Sequence, residues 1–146
     1  MKRRTLGREL ALKYLFTVEL GTEKGLDGFE RFSTDQEKDA ETRAFAKLLI
    51  EGVLKHGYEL RDAIEAKATN WTWKRMPTVD RCLLLIGALE IFHHDDIPST
   101  VTINELVEMA KKFSTEASGS FVNGVLDGLK PSPDKSDSTS KTSNED

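Results

Sequence analysis

Between Thr5 and Leu20 the apolar residues Leu6, Leu10, Ala11, Tyr14, Leu15 and Val18 recur at helical spacing, and Gly21 follows as a stop. The pattern predicts a first helix with one face turned to a core. Leu12 and Phe16 form an i,i+4 pair displaced from that stripe, with Arg8 on one flank and Lys13 on the other. Such a flank suits either a platform on which a base stacks or a cover for a neighbouring helix. Thr22 to Ser33 holds Leu26, Phe29 and Phe32 among acids and glycines and reads as a loop with one short helical turn. Thr34-x-x-Glu37 has the form of a capping box that opens a second helix. Its stripe of Phe45, Leu48, Leu49, Val53 and Leu54 ends at Gly57, and Leu60, Ile64 and Ala68 continue the pattern from Tyr58 to Thr69.

From Val79 to Phe92 apolar side chains fall on every face of a 3.6-residue spiral, so this helix needs neighbours nearly all round it. It is predicted as the central, buried helix. Pro77 disfavours a helical Met76, Thr78 is placed to cap the new helix, and the end falls near His93 to Pro98. A second capping box, Thr102-x-x-Glu105, precedes Ile103, Leu106, Val107, Ala110 and Phe113 on one helical face. After a break around Ser114 to Gly119, Phe121, Val122, Val125, Leu126 and Leu129 give the last helix. Gly124 and Gly128 would each cost about 1 kcal/mol there relative to Ala, which points to close backbone approach. No run alternates with period two for long enough to compete. The fold class is therefore all α, a compact bundle in which two helical groups meet at the central helix.

Composition narrows this further. A chain of 146 residues is economically one domain, here residues 1–130, and the Ser-rich, uncompacted stretch 131–146 reads as a disordered tail. The single Cys82 lies inside the apolar helix, so no disulfide framework and no C-x-x-C zinc pair is expected, which fits a reducing cytoplasm. The central helix is too short to span a bilayer, which needs about 20 residues, and the N-terminal basic run lacks the apolar stretch of a signal peptide. The net charge of −4 is unevenly spread: residues 1–20 carry +3 and residues 21–129 carry −6. An acidic body thus bears a basic N-terminal helix, suited to phosphate backbones or simply to solvent.

Residues with catalytic potential are few. His93-His94-Asp95-Asp96 has metal-ligand residue types, but adjacent helical side chains point about 100° apart, so a surface turn is expected and no metal site. Ser118 and Ser120 lack a nucleophile elbow, no glycine-rich phosphate loop occurs, and Cys82 sits among apolar residues. No enzyme and no cofactor is expected. Trp71 and Trp73 beside Lys74 and Arg75 suit a binding surface or closure of the core.

Read together, these segments resemble the NusB family of transcription antitermination factors. The resemblance is carried by Arg3-Arg4 with Arg8-Glu9-Leu10-Ala11-Leu12, by Asn70-Trp71 with Arg75-Met76 and Val79-Asp80-Arg81, and by Ile97-Pro98 with Ile103-Asn104-Glu105. Ala110-Lys111-Lys112-Phe113 and Phe121 to Asp127 complete it, in the family's order from residue 3 to 129. It implies a bundle of about seven helices in two sub-bundles. It further implies a cytoplasmic, non-enzymatic protein that binds boxA-like single-stranded RNA, pairs with the ribosomal small-subunit protein NusE and joins the transcription elongation complex during ribosomal RNA synthesis. Carried over position by position, it places RNA on Arg3, Arg4, Arg8, Lys13, Phe16 and Phe121, and the protein partner on Trp71, Arg75 and Asp80. Three positions depart from the family's usual pattern: Leu85 stands in place of Arg, Phe16 of Tyr, and Ser120 of a basic residue. A protein-only interaction module is one competing expectation. A helical accessory domain of an RNA methyltransferase is the other, but it would require an α/β sheet and cofactor loop absent from this sequence.

Overall fold

The structure, a computed structural model, describes residues 2–131, and of Lys2 the backbone alone. The tail expected over residues 131–146 lies outside the described residues from 132 onward. Within them the chain forms α1 (Lys2–Glu19), α2 (Phe29–Gln36), α3 (Ala40–Lys55), α4 (Gly57–Lys67), a 3-10 turn (Trp73–Arg75), α5 (Thr78–His93), α6 (Ser99–Phe113) and α7 (Glu116–Leu129). No strand occurs among the described residues.

Helix α5 packs against α1, α3, α4, α6 and α7; around it α1, α2 and α3 pack on one another, and α7 packs against both α6 and α4. Every residue from Cys82 to Ile91 is buried, as a helix apolar on all faces requires. The buried thiol is pushed up to about 12, chiefly by desolvation with Glu19 adding to it, so Cys82 is an inert core group. No described helix is long and apolar enough to cross a membrane.

Gly21, at φ 85°, ends α1 in the left-handed conformation that favours glycine, and its N–H bonds Val18 O at 3.0 Å. The returning chain is held by Tyr14, whose hydroxyl donates to Gly25 O at 2.6 Å and accepts from Gly28 N at 3.3 Å, with Phe29 edge-on to its ring.

Neither capping box caps a helix. Thr34 lies inside α2, which extends the single expected turn, and Asp39 caps α3 instead, its Oδ2 accepting from Thr42 N at 2.9 Å and Thr42 Oγ1 at 2.7 Å. Those bonds, with Arg3 nearby, hold the Asp39 carboxyl below the usual carboxylate range. The second box falls within α6, because Pro98 lets the helix begin four residues earlier than a cap at Thr102 would put it, at Ser99. Likewise Pro77 rather than Thr78 precedes α5, with no side-chain cap. The last break is shorter than expected, since Thr115 caps α7 by accepting from Ser118 N at 2.9 Å.

Close approach does occur at glycines, though elsewhere than expected. A Cβ on Gly124 would meet nothing within 4 Å, and one on Gly128 only the Lys67 side chain. At Gly87, by contrast, it would lie 2.6 Å from Leu126 Cδ1, on a fully buried leucine. Gly124→Ala is accordingly expected to stabilise by about 0.5–1 kcal/mol through helix propensity. Gly87→Ala gains the same propensity but overpacks the α5–α7 contact, for a net loss of about 1 kcal/mol. Urea melts of the two variants should move in opposite directions; equal gains would show that Leu126 repacks freely.

Candidate nucleic-acid interface

The exposed first turn of α1 carries Arg3 and Arg4. Arg3 pairs with Asp39 at 3.1 Å and Glu41 at 2.8 Å, and Arg4 with Asp96 at 3.3 Å while lying 5.2 Å from the Phe45 ring centre. Exposed pairs of this kind are weak, so both guanidinium groups are free to exchange a carboxylate for a phosphate.

One turn further, Arg8 departs from its expected role. Its side chain is 2% exposed and makes a two-pronged ion pair with Glu90, Nε to Oε2 at 2.7 Å and Nη2 to Oε1 at 3.0 Å. Nη1 reaches Glu105 at 3.2 Å, Thr102 donates to Glu90 at 2.6 Å, and Thr5 donates to Glu105 at 2.8 Å. A guanidinium enclosed in this way holds α1, α5 and α6 together and is not presented to a phosphate. The same network explains Thr102 and Glu105, which the sequence pattern cast as a helix cap.

Two grooves take consecutive residues from the first turn of α5, Val79 and Asp80, and from the α6–α7 joint, Phe113 and Ser114. Leu12, Lys13, Phe16, Val79 and Phe113 line the first. Leu12 belongs to the buried core, whereas Phe16 packs against that core with one part and lines the groove with the other. Lys13 Nζ lies 5.9 Å and Lys112 Nζ 5.2 Å from the Phe113 ring centre, and Lys112 also pairs with Glu9 at 3.0 Å. Cations beside a partly exposed aromatic ring are the chemistry that receives an unpaired base and its phosphate.

Trp71, Pro77, Asp80, Ser118 and Phe121 line much of the second groove. The Phe121 ring meets Trp71 edge-on, with centroids 6.2 Å apart. Asp80 is 5% exposed and lies on the groove floor, where Ser118 Oγ donates to its Oδ1 at 2.5 Å. Burial pushes this carboxyl above its ordinary range, against the smaller downward pull of the Ser118 bond. Of the expected partner-binding residues, Trp71 and Arg75 are therefore exposed and Asp80 is recessed. Trp73 is half-buried against the core and lies under the guanidinium groups of Arg61 and Arg81.

Sequence reasoning missed Val79 and Phe113 as groove residues and Lys112 as a cation beside the Phe113 ring. Phe113 fits the apolar stripe of α6, and only the preceding Lys111-Lys112 hinted that its ring sits at a charged edge. Leu85 is a core residue at 2% exposure, so its place in the sequence pattern concerns packing; Ser120 is exposed beside Phe121.

Comparison with known proteins converges on one family. The family model described as the NusB family matches residues 5–131. The transcription antitermination protein NusB of Geobacter sulfurreducens is 41% identical over 137 residues, covering 92% of this chain and 99% of that protein. Among solved structures, NusB of T. maritima is similar with a TM-score of 0.76 at 31% identity, over 86% of this chain and 89% of that one. A crystal structure of the antitermination factors NusB and NusE in complex with dsRNA aligns with a TM-score of 0.80 at 25% identity, over 88% and 96% of the two chains.

Proposed function

The chain belongs to the NusB family, and from that premise we propose that it is an RNA-binding transcription antitermination factor. It holds boxA-type single-stranded RNA along the N-terminal end of α1 and the two grooves, and it pairs with the ribosomal protein NusE. It acts by binding rather than catalysis, in the cytoplasm, through a single domain spanning residues 1–130. The observation that carries this reading is that half-buried Phe16 and Phe113 line one groove with Lys13, with Lys112 also beside the Phe113 ring, while half-buried Phe121 lines a second groove built from the next residues of α5 and of the α6–α7 joint. Arg3, Arg4 and Lys13 contact phosphates, and Phe16 and Phe121 stack on bases. Trp71 and Arg75 lie at the NusE edge, with Asp80 supporting the floor of the groove that Trp71 lines. Because Trp71 and Phe121 share one groove, the protein partner and the RNA meet there.

The two residue classes are separable by salt. With NusE present, replacing Arg3, Arg4 or Lys13 by alanine is expected to flatten the dependence of log K on log salt by about 0.7 per lost phosphate contact. Phe16→Ala and Phe121→Ala are each expected to cost about 1–3 kcal/mol with no change in slope, since stacking releases no counterions. Titration of boxA-like RNA across a salt series reads both quantities. Parental binding by all five variants would move the RNA site elsewhere and favour a protein-only interaction module.

A further inference from the structure

Three side chains that take no part in the grooves converge where the α3–α4 turn meets the end of α5. His56 follows α3, Glu59 lies in the first turn of α4, and His93 is the last residue of α5. The two imidazoles stack with centroids 3.9 Å apart and planes inclined by 13°. A single carboxylate oxygen, Glu59 Oε1, stands 3.0 Å from His93 Nε2 and 3.5 Å from His56 Nδ1. One ligand atom from each of the three residues lies within 4.8 Å of the others.

We propose that His56, Glu59 and His93 form a site for one divalent transition-metal ion of the zinc class. Two imidazoles and one carboxylate are a donor set that zinc accepts, with water completing a tetrahedron. A single oxygen donor among three ligands disfavours calcium and magnesium, which bind through oxygen. Ligand atoms about 2.0–2.2 Å from a tetrahedral ion lie about 3.4 Å apart. The distances of 3.0 and 3.5 Å from Glu59 fall on either side of that value. The stacked pose itself does not aim both nitrogens at one point. Each ring must turn about its terminal torsion, which is broad for histidine and costs little.

The backbone supports such a site. His56 caps the start of α4 and Glu59 follows at i+3 in its first turn, where the two side chains lie 3.5 Å apart. His93 arrives from a different helix, 34 residues from Glu59, and the ion would tie the α3–α4 turn to the end of the central helix. The side chains are 27%, 51% and 33% exposed in the order His56, Glu59, His93, which leaves an open path for entry. Adjacent His94, Asp95 and Asp96 play no part, in keeping with the divergence of neighbouring side chains that argues against a metal site within that run.

The test uses the full chain and Zn²⁺ alone, measured by competition with a chromogenic zinc indicator. The expected result is one ion per chain with a Kd of about 10 µM or tighter. His56→Ala, His93→Ala and Glu59→Gln should each weaken binding about tenfold or more, while His94→Ala leaves it unchanged. Added Zn²⁺ should raise the Tm of the parent and not that of His93→Ala, because binding to the folded state alone stabilises it. Glu59 is exposed, so Glu59→Gln decides the matter if a histidine variant folds poorly. Absence of saturable binding at about 0.1 mM Zn²⁺, or binding that survives Glu59→Gln and both histidine variants, would overturn the proposal.

Discussion

Replacement of Arg8 by alanine is expected to lower folding stability by about 3–5 kcal/mol, measured by urea denaturation. The side chain is 2% exposed, and its partner Glu90 is fully enclosed. Removing the guanidinium leaves that carboxylate in the interior with Thr102 as its remaining hydrogen-bond donor among the described contacts. Breaking one side of a buried pair costs far more than the pair contributes net, because the abandoned charge has lost its water as well. Replacing both members, Arg8→Met with Glu90→Leu, should recover most of the loss, and a double-mutant cycle then isolates the coupling. RNA binding gives an independent check. With the guanidinium enclosed, Arg8→Ala should leave the salt dependence of RNA affinity unchanged at a temperature where the variant is folded, whereas Arg4→Ala flattens it. A stable Arg8→Ala protein with a flattened slope would return Arg8 to the RNA surface.

Arg8 also marks where sequence reasoning stops. The charge count places it correctly in a basic helix, but a count cannot distinguish a cation facing solvent from one facing a carboxylate 82 residues away. The same holds for Thr102 and Glu105, whose i,i+3 spacing satisfies the capping-box pattern while their side chains complete a buried network. Periodicity succeeded where burial is decided within one element: the first helix, the break at Gly57, and the all-round apolar central helix appear within a few residues of where the spacing puts them. Cap assignment failed at the entries of α3, α5 and α6, where Asp39 or a proline precedes the helix in place of the expected threonine. Glycines in α7 signalled close approach by their cost in a helix, yet the tightest approaches between helices are made at Gly7, Gly52 and Gly87, where the neighbouring side chain is supplied by another helix. The grooves were partly legible for a similar reason. Phe16 announces itself by lying off its stripe, while Phe113 lies on its stripe and is left half-exposed by the packing of α6 and α7.

The core should respond most strongly at the centre of α5. Leu83 and Leu84 are both fully buried, in a helix that touches five others, so neither can be shortened without opening a void. Leu→Ala at such a site loses the transfer free energy of the removed carbons and adds a cavity term, together about 2–5 kcal/mol. Leu84→Ala is expected toward the upper part of that range, since a helix packed on all sides has little room to collapse into the gap. Leu48, half-exposed on α3, supplies the control: Leu48→Ala should stay within about 0.5 kcal/mol of the parent. Consequences for binding follow from position. Val79 and Asp80, which line the two grooves, sit in the first turn of the same helix. If α5 acts as a rigid mount, Leu84→Ala lowers the denaturation midpoint yet leaves RNA affinity unchanged well below its Tm. A loss of affinity under those conditions would show that core packing sets the groove geometry directly. A loss of stability below about 1 kcal/mol in both Leu83→Ala and Leu84→Ala would show that the fold is not organised around α5.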